Sequence, residues 1–244
     1  VVRGGYGPSD TPQPAPAAQP WQYNSYQTRI RPDDLPGARI ASLSDEFNST
    51  TLSPQWHFLH PNADNMYVLT GSSYQVETHG PDENGSPQVV SILAEPTPTG
   101  NWMVETKMTV NVPFDNSCCY NFAQGALFIY GNDQNSIKLD VVPNFDVRLT
   151  EFGKQMGPVP AHYPTYDHQL VGQAGPTTWL RIAKHSNGTN GELYTAYTST
   201  DGEHWIRGGT WRHTLGSGAQ IGVSAENAAG FTVNFDYVRV YRLQ

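Results

Sequence analysis

From about residue 40 onward, short apolar or alternating runs are separated by Gly, Pro, Asn and Asp. They include MYVLTG, YQVETHG, PQVVSILAEP, WMVETKMTVNV, GALFIYGND, SIKLDVVPN, VRLTEFG, WLRIAKHSNG, LYTAYTSTDG, QIGVSAEN and FTVNFDYVRVYRL. These runs are rich in β-branched and aromatic residues and recur roughly every 10 residues, as in an antiparallel sandwich or jelly roll. No long stretch places its apolar residues at helical spacing. Asn187-Gly188 and Asp201-Gly202 supply the positive-φ positions of tight hairpin turns. The pattern therefore predicts an all-β fold of two packed sheets over residues 40–244.

Residues 1–39 read differently. Pro8, Pro12, Pro14, Pro16, Pro20, Pro32 and Pro36 each fix φ and remove a backbone donor, which excludes a helix or central strand. An extended Pro-rich arm or connector is expected there, rather than a secretory leader. A second irregular stretch, GKQMGPVPAHYPTYDHQLVGQAGPTT from Gly153 to Thr178, predicts a long loop, and such loops often carry function.

Within the predicted strands, alternation assigns faces. In Ile137-Lys138-Leu139-Asp140-Val141 the apolar residues mark the core side and leave Lys138 and Asp140 on the other. Along the next run Arg148 and Thr150 oppose Val147 and Leu149, although Phe152 breaks the alternation; Tyr130 ends the preceding run. A groove lined by Tyr130, Lys138, Asp140, Arg148 and Glu151 suits a sugar. Aromatic rings pack on the C–H faces of sugar rings, and charged groups bond vicinal hydroxyls. The same residues also suit a solvated sheet face with cross-strand ion pairs.

Composition narrows the partner. Lys and Arg total 14 against 22 Asp and Glu, a net charge of −8. That balance argues against nucleic acid or an anionic membrane surface. A charged fraction of only 15%, with many Tyr, Trp, Asn, Gly and Thr, suits a secreted protein that handles neutral polymers. The two cysteines, Cys118 and Cys119, are adjacent. A bridge between neighbours is strained because their Cα atoms lie closer than in an ordinary disulfide. A vicinal disulfide and two free thiols both remain open.

Several of these stretches, taken in order, resemble a known domain. SDEFNSTTLSPQWHFLHPNADNMYVLTG, AQGALFIYGNDQNSIKLD, TWLRIAKHSNG, YTSTDGEHW, IGVSAEN and FDYVRVY are similar to the concanavalin A-like C-terminal domain of many glycoside hydrolase family 43 enzymes. The match places Asp45, Glu46, Phe47, Asn48, Leu52, Trp56 and Tyr67 at the family's opening positions and covers about residues 40–243. The start, VVRGGYGPSDTPQPAP, resembles the segment that closes the five-bladed propeller of arabinan-directed members.

The resemblance implies a concanavalin A-like jelly roll that binds or helps enclose plant-wall arabinan or xylan beside a catalytic propeller. The family's catalytic carboxylates lie in that propeller, so none is carried onto this chain. Domains of this kind often hold a structural Ca²⁺ where the first and last strands meet. Asp45 and Asp236 stand at those places, or else cap turns and strand ends. Tyr120, or Phe114, is the aromatic residue that would reach a partner's active-site rim.

Rival readings stay open. A stand-alone hydrolase would need converging carboxylates such as Glu105, Asp140 and Glu151, which fall on separate predicted strands without a Glu-x-Asp-x-x-Glu signature. A lyase would draw on His162, Tyr163, Tyr166 and His168. A purely structural subunit would bind no glycan.

Overall fold

The computed structural model describes residues 34–61, 66–79, 91–112, 122–144, 147–157, 166–186, 188–227 and 230–244. Leu35–Gln244 form one compact unit. Among the described residues there is no α-helix.

The strands are β1 (Pro36–Arg39), β2 (His57–Leu59), β3 (Tyr67–Leu69), β4 (Tyr74–Glu77), β5 (Ile92–Pro96), β6 (Trp102–Asn111), β7 (Gln124–Asn132) and β8 (Asn135–Asn144). They continue as β9 (Val147–Met156), β10 (Tyr166–Gln173), β11 (Thr177–Ser186), β12 (Glu192–Ser199), β13 (Ile206–Arg212), β14 (Gln220–Glu226) and β15 (Thr232–Leu243). They form two antiparallel sheets. An eight-stranded sheet runs β13-β12-β11-β6-β15-β4-β3 with β1 added on β15, and a seven-stranded sheet runs β10-β9-β8-β7-β14-β5-β2. The all-β, two-sheet expectation is met.

The core lies between the sheets. Trp102, Val104, Met108 and Val110 of β6 face Leu127 and Ile129 of β7 and Ile137, Leu139 and Val141 of β8, with Phe47, Phe152, Phe235 and Val238 closing the cluster. At Gly125 the two sheets come close together. A Cβ there would stand 2.6 Å from a Val233 methyl and 2.9 Å from the Met108 sulfur, so only glycine fits without a shift.

Two boundaries differ from the sequence reading. Pro36–Arg39, expected in the arm, hydrogen-bonds to β15 and belongs to the sandwich. The expected loop of Gly153–Thr178 holds an edge strand, because β9 extends to Met156 and Tyr166–Gln173 pairs with it as β10. Polar residues and a register shift between Leu170 and Gly172 hid that strand from the period-two test.

The DEFN and FDYVRVY motifs prove to be one clasp. Asp45 and Val238 exchange two backbone hydrogen bonds, each 2.8 Å. The Asp45 carboxylate accepts from Phe47 N–H at 2.8 Å, Ser53 Oγ at 2.6 Å and Trp56 Nε1 at 2.9 Å. Glu46 accepts two hydrogen bonds from Arg239, at 2.9 and 2.8 Å, and pairs with Arg39 at 2.6 Å. The Arg239 hydrogen bond holds the Glu46 carboxyl below its ordinary range, outweighing partial burial. This clasp fastens the first segment of the sandwich to its last strand.

Candidate functional site

The outward face of the seven-stranded sheet, opposite the core, gathers most of the residues expected to bind sugar. Register fixes which side chains share it. Asp140 lies opposite Ala126 and Glu151, Lys138 opposite Phe128 and Gly153, and Tyr130 opposite Ser136 and Gln220. Glu226 lies opposite Gln124, and Leu170 opposite Glu151. Directly opposed residues on paired strands point to the same side. Tyr130, Lys138, Asp140 and Glu151 therefore share one face with Gln124, Ser224, Glu226 and His168.

At the centre of this face Lys138 is ringed by acceptors. Its Nζ lies 3.1 Å from Gln124 Oε1, 3.5 Å from Glu226 Oε2 and 3.6 Å from Asp140 Oδ2. Ser224 Oγ donates to Glu226 Oε1 at 2.6 Å. One ammonium thus holds two carboxylates, Asp140 of its own strand β8 and Glu226 of β14 on the far side of β7. Next to it Ile92, Ala94, Ala126, Phe128 and Tyr130 form a small apolar cluster. Tyr130 donates to Asp133, which also takes His60 Nε2 at 2.9 Å.

An open groove was expected over Lys138 and Asp140. Instead each is only 1% exposed, so they form an internal ion-pair network. The signal lay in GALFIYG, a continuous apolar run rather than an alternating one, which marks a strand buried on both faces. Solvent reaches this face through Glu151, half-buried on β9, and through His168 and Leu170 on the edge strand. His168 Nε2 stands 3.9 Å from Glu151 Oε2.

Arg148 is a second correction. Register places Phe152 opposite Leu139, so the even-numbered residues of β9 face the core and Arg148 faces away from Lys138. Phe152, which broke the apparent alternation, sets the true parity. The Arg148 guanidinium instead plugs one end of the sandwich. It donates to the Val112 carbonyl and, at 3.4 Å, to that of Gly175, and burial lowers its pKa.

The carboxylates offered for a hydrolase do not converge. Glu105 lies on the outside of the eight-stranded sheet, where its oxygens take Arg181 Nε at 2.5 Å and Tyr237 OH at 2.6 Å. Asp140 and Glu151 lie on the outside of the other sheet. The calcium pair does not fit an ion either. Asp45 points inward with three protein donors on its carboxylate, whereas Asp236 pairs with Lys107 at 2.5 Å on the outer side of its sheet. Among the described residues no three His, Cys, Asp or Glu gather to hold a metal. Tyr120, Phe114, Cys118, Cys119, His162 and Tyr163 lie outside the described residues.

Sequence reasoning passed over Glu226 and Gln124. Each stands at a strand end, and the runs beside them do not alternate cleanly enough to mark which face they take. It also passed over Glu95 on β5, which is fully buried facing the core, with no hydrogen-bond partner for either carboxyl oxygen among the described residues. Burial above all, and then the nearby Asp45 charge, push its pKa up to about 9. It carries a proton at neutral pH.

Two antiparallel sheets packed over one core, with the first segment clasped to the last strand, define a concanavalin-like sandwich, the architecture of lectin-like domains. The legume lectin-like domain of Entamoeba histolytica matches it with a TM-score of 0.52 at 12% identity, over 78% of this chain and 91% of that one. The xylan β-1,4-xylosidase of Bacillus halodurans matches with a TM-score of 0.65 at 18% identity, over 82% of this chain and 39% of that one. The GH43 protein BlXynB of Bacillus licheniformis matches with a TM-score of 0.64 at 15% identity, over the same shares of 82% and 39%. This chain thus spans about 39% of the length of each of those two structures. At these identities the likeness is one of fold. No family model matches the sequence, and no curated protein does.

Proposed function

We propose that this chain is a secreted, non-catalytic carbohydrate-binding domain that serves a family 43 glycoside hydrolase acting on plant-wall xylan or arabinan. The observation that carries the reading is the fold match. Nearly the whole sandwich superposes on part of two longer family 43 chains, one of them a xylan β-1,4-xylosidase. The ordered motifs from SDEFN to FDYVRVY support the same reading. So does the scatter of the carboxylates, with Glu105 on one outer face and Asp140 and Glu151 on the other.

In this account the Lys138 network is a rigid base for the outward face. It ties β7, β8 and β14 together through side chains, beside the β9–β10 edge where Glu151 and His168 lie 3.9 Å apart on the solvent-reached side. Those two groups offer acceptors and a donor to vicinal hydroxyls. A catalytic propeller is the expected partner.

Affinity electrophoresis tests the reading. The chain should be retarded in gels containing soluble xylan or arabinan, and should release no reducing ends from either. Retardation should weaken in the Glu151→Gln, His168→Ala double variant. Migration unchanged in every glycan gel contradicts the binding role, and reducing-end release that disappears in Asp140→Asn contradicts the non-catalytic one.

A further inference from the structure

The two ends of the sandwich differ. One is plugged by Arg148, as described above. The other holds a cavity of about 230 Å³ lined by Gly100, Trp102, Lys184, Glu192, Tyr194 and Ser217. Its floor is a ladder across three strands, because Lys184 lies directly opposite Trp102 on β6 and Tyr194 on β12. Its walls are the turn entering β6 and the turn entering β14.

The residue types on this floor are unexpected. Along β11 the core positions run Leu180, Ile182, Lys184, and along β12 they run Glu192, Tyr194, Ala196. The core-facing alternation therefore ends in a lysine on one strand and begins in a glutamate on the next. A structural end would be closed more cheaply by apolar residues, since burying charge costs stability unless it is paired and hydrogen-bonded.

The pair is well held. Lys184 Nζ reaches Gly100 O and Glu192 Oε1, both at 3.3 Å. Glu192 Oε2 accepts from Tyr194 OH at 2.9 Å, Leu215 N–H at 2.8 Å and Gly216 N–H at 3.3 Å. Burial alone would raise the Glu192 pKa. The Leu215 N–H, the Tyr194 hydroxyl and the Lys184 ammonium outweigh it and keep the carboxylate charged. An ammonium can donate three hydrogen bonds, so Lys184 keeps one beyond its two protein acceptors. Trp102 and Tyr194 stand edge to face, with centroids 6.5 Å apart, and, each only 1% exposed, pack as the floor beneath the charges.

We infer that this end cavity is a binding site for one neutral sugar ring, the free monosaccharide or the terminal residue of a glycan chain. The inference rests on the carbohydrate-binding reading above but assigns it a separate place. Fixed donors and acceptors set over a packed apolar floor match a neutral ring with hydroxyls on its edge. The volume falls below the ~300 Å³ at which drug-sized pockets begin, which suits a single ring rather than a threaded chain. The outer face would gain affinity with each added residue. A one-ring cavity would not.

The test is titration of the whole 244-residue chain with xylose, arabinose and xylotetraose, followed by amide NMR shifts and calorimetry. Expected shifts cluster at residues 97–102, 184, 192–194 and 216–219. Affinity read from the shifts at these cavity residues should differ by less than about threefold between one ring and four. Lys184→Met, which keeps the aliphatic stem, should weaken binding by about tenfold. Ser217→Trp, at the exposed mouth, should abolish it without touching the core. If xylan still retards the chain but neither variant alters xylose or xylotetraose binding, the cavity holds water only and the inference falls while the binding role stands. If no sugar binds anywhere on the chain, both fall.

Discussion

Glu95 shows how a single residue can set the chain's response to pH. Its folded pKa of about 9 lies far above the ordinary 4.5, chiefly through burial and secondarily through Asp45. Above pH 4.5 the unfolded chain releases this proton while the folded chain keeps it. Stability therefore falls as pH rises from 4.5 to about 9, by up to ~1.4 kcal/mol per pH unit, and levels off beyond. Glu95→Gln removes the proton exchange at nearly constant volume. The variant should match the parent at pH 4 and become progressively more stable toward pH 9, as read by urea denaturation at several pH values. Parallel pH profiles for the two proteins would contradict the assignment of Glu95 as a protonated core residue.

Strands and clasps carry the next level of the account. β7 presses against the other sheet at Gly125, where any side chain meets Val233 and Met108. Gly125→Val should therefore cost about 1–3 kcal/mol or more through overpacking, seen as a lowered denaturant midpoint. The clasp of Asp45 and Glu46 to β15 uses protein donors throughout. Adding EDTA or Ca²⁺ should leave the melting temperature unchanged, and a clear rise with Ca²⁺ would show that an ion completes the clasp.

The sequence revealed elements better than faces. Strand runs broken by Asn-Gly and Asp-Gly were legible because β-branched residues and turn chemistry act locally. β10 was not, since an edge strand tolerates polar residues and a bulge. The side on which Arg148 points was not legible either, because parity along β9 depends on the pairing of Phe152 with Leu139, which is a long-range fact. The closed state of Lys138 and Asp140 was legible only in retrospect, in the unbroken apolar run of GALFIYG. The end cavity left a trace that local reading overlooked: charges at Lys184 and Glu192, where the core alternation calls for apolar side chains.

For the whole molecule, the two ends and two outer faces have become distinct in role. One end is sealed by Arg148, and the opposite end is the proposed one-ring site. The outside of the eight-stranded sheet is fastened by Glu105, Arg181, Tyr237, Arg239 and Glu46 in a continuous run of hydrogen bonds and ring contacts. The outside of the seven-stranded sheet carries the Lys138 network and the solvent-reached Glu151 and His168. This division is the basis for testing the proposed carbohydrate-binding role. Calorimetric titration of the intact chain with xylan and arabinan oligosaccharides tests that central claim most directly. Saturable binding to at least one of them, with no reducing ends released, is the predicted result. No heat and no binding with either series, from protein shown to be folded, would contradict it.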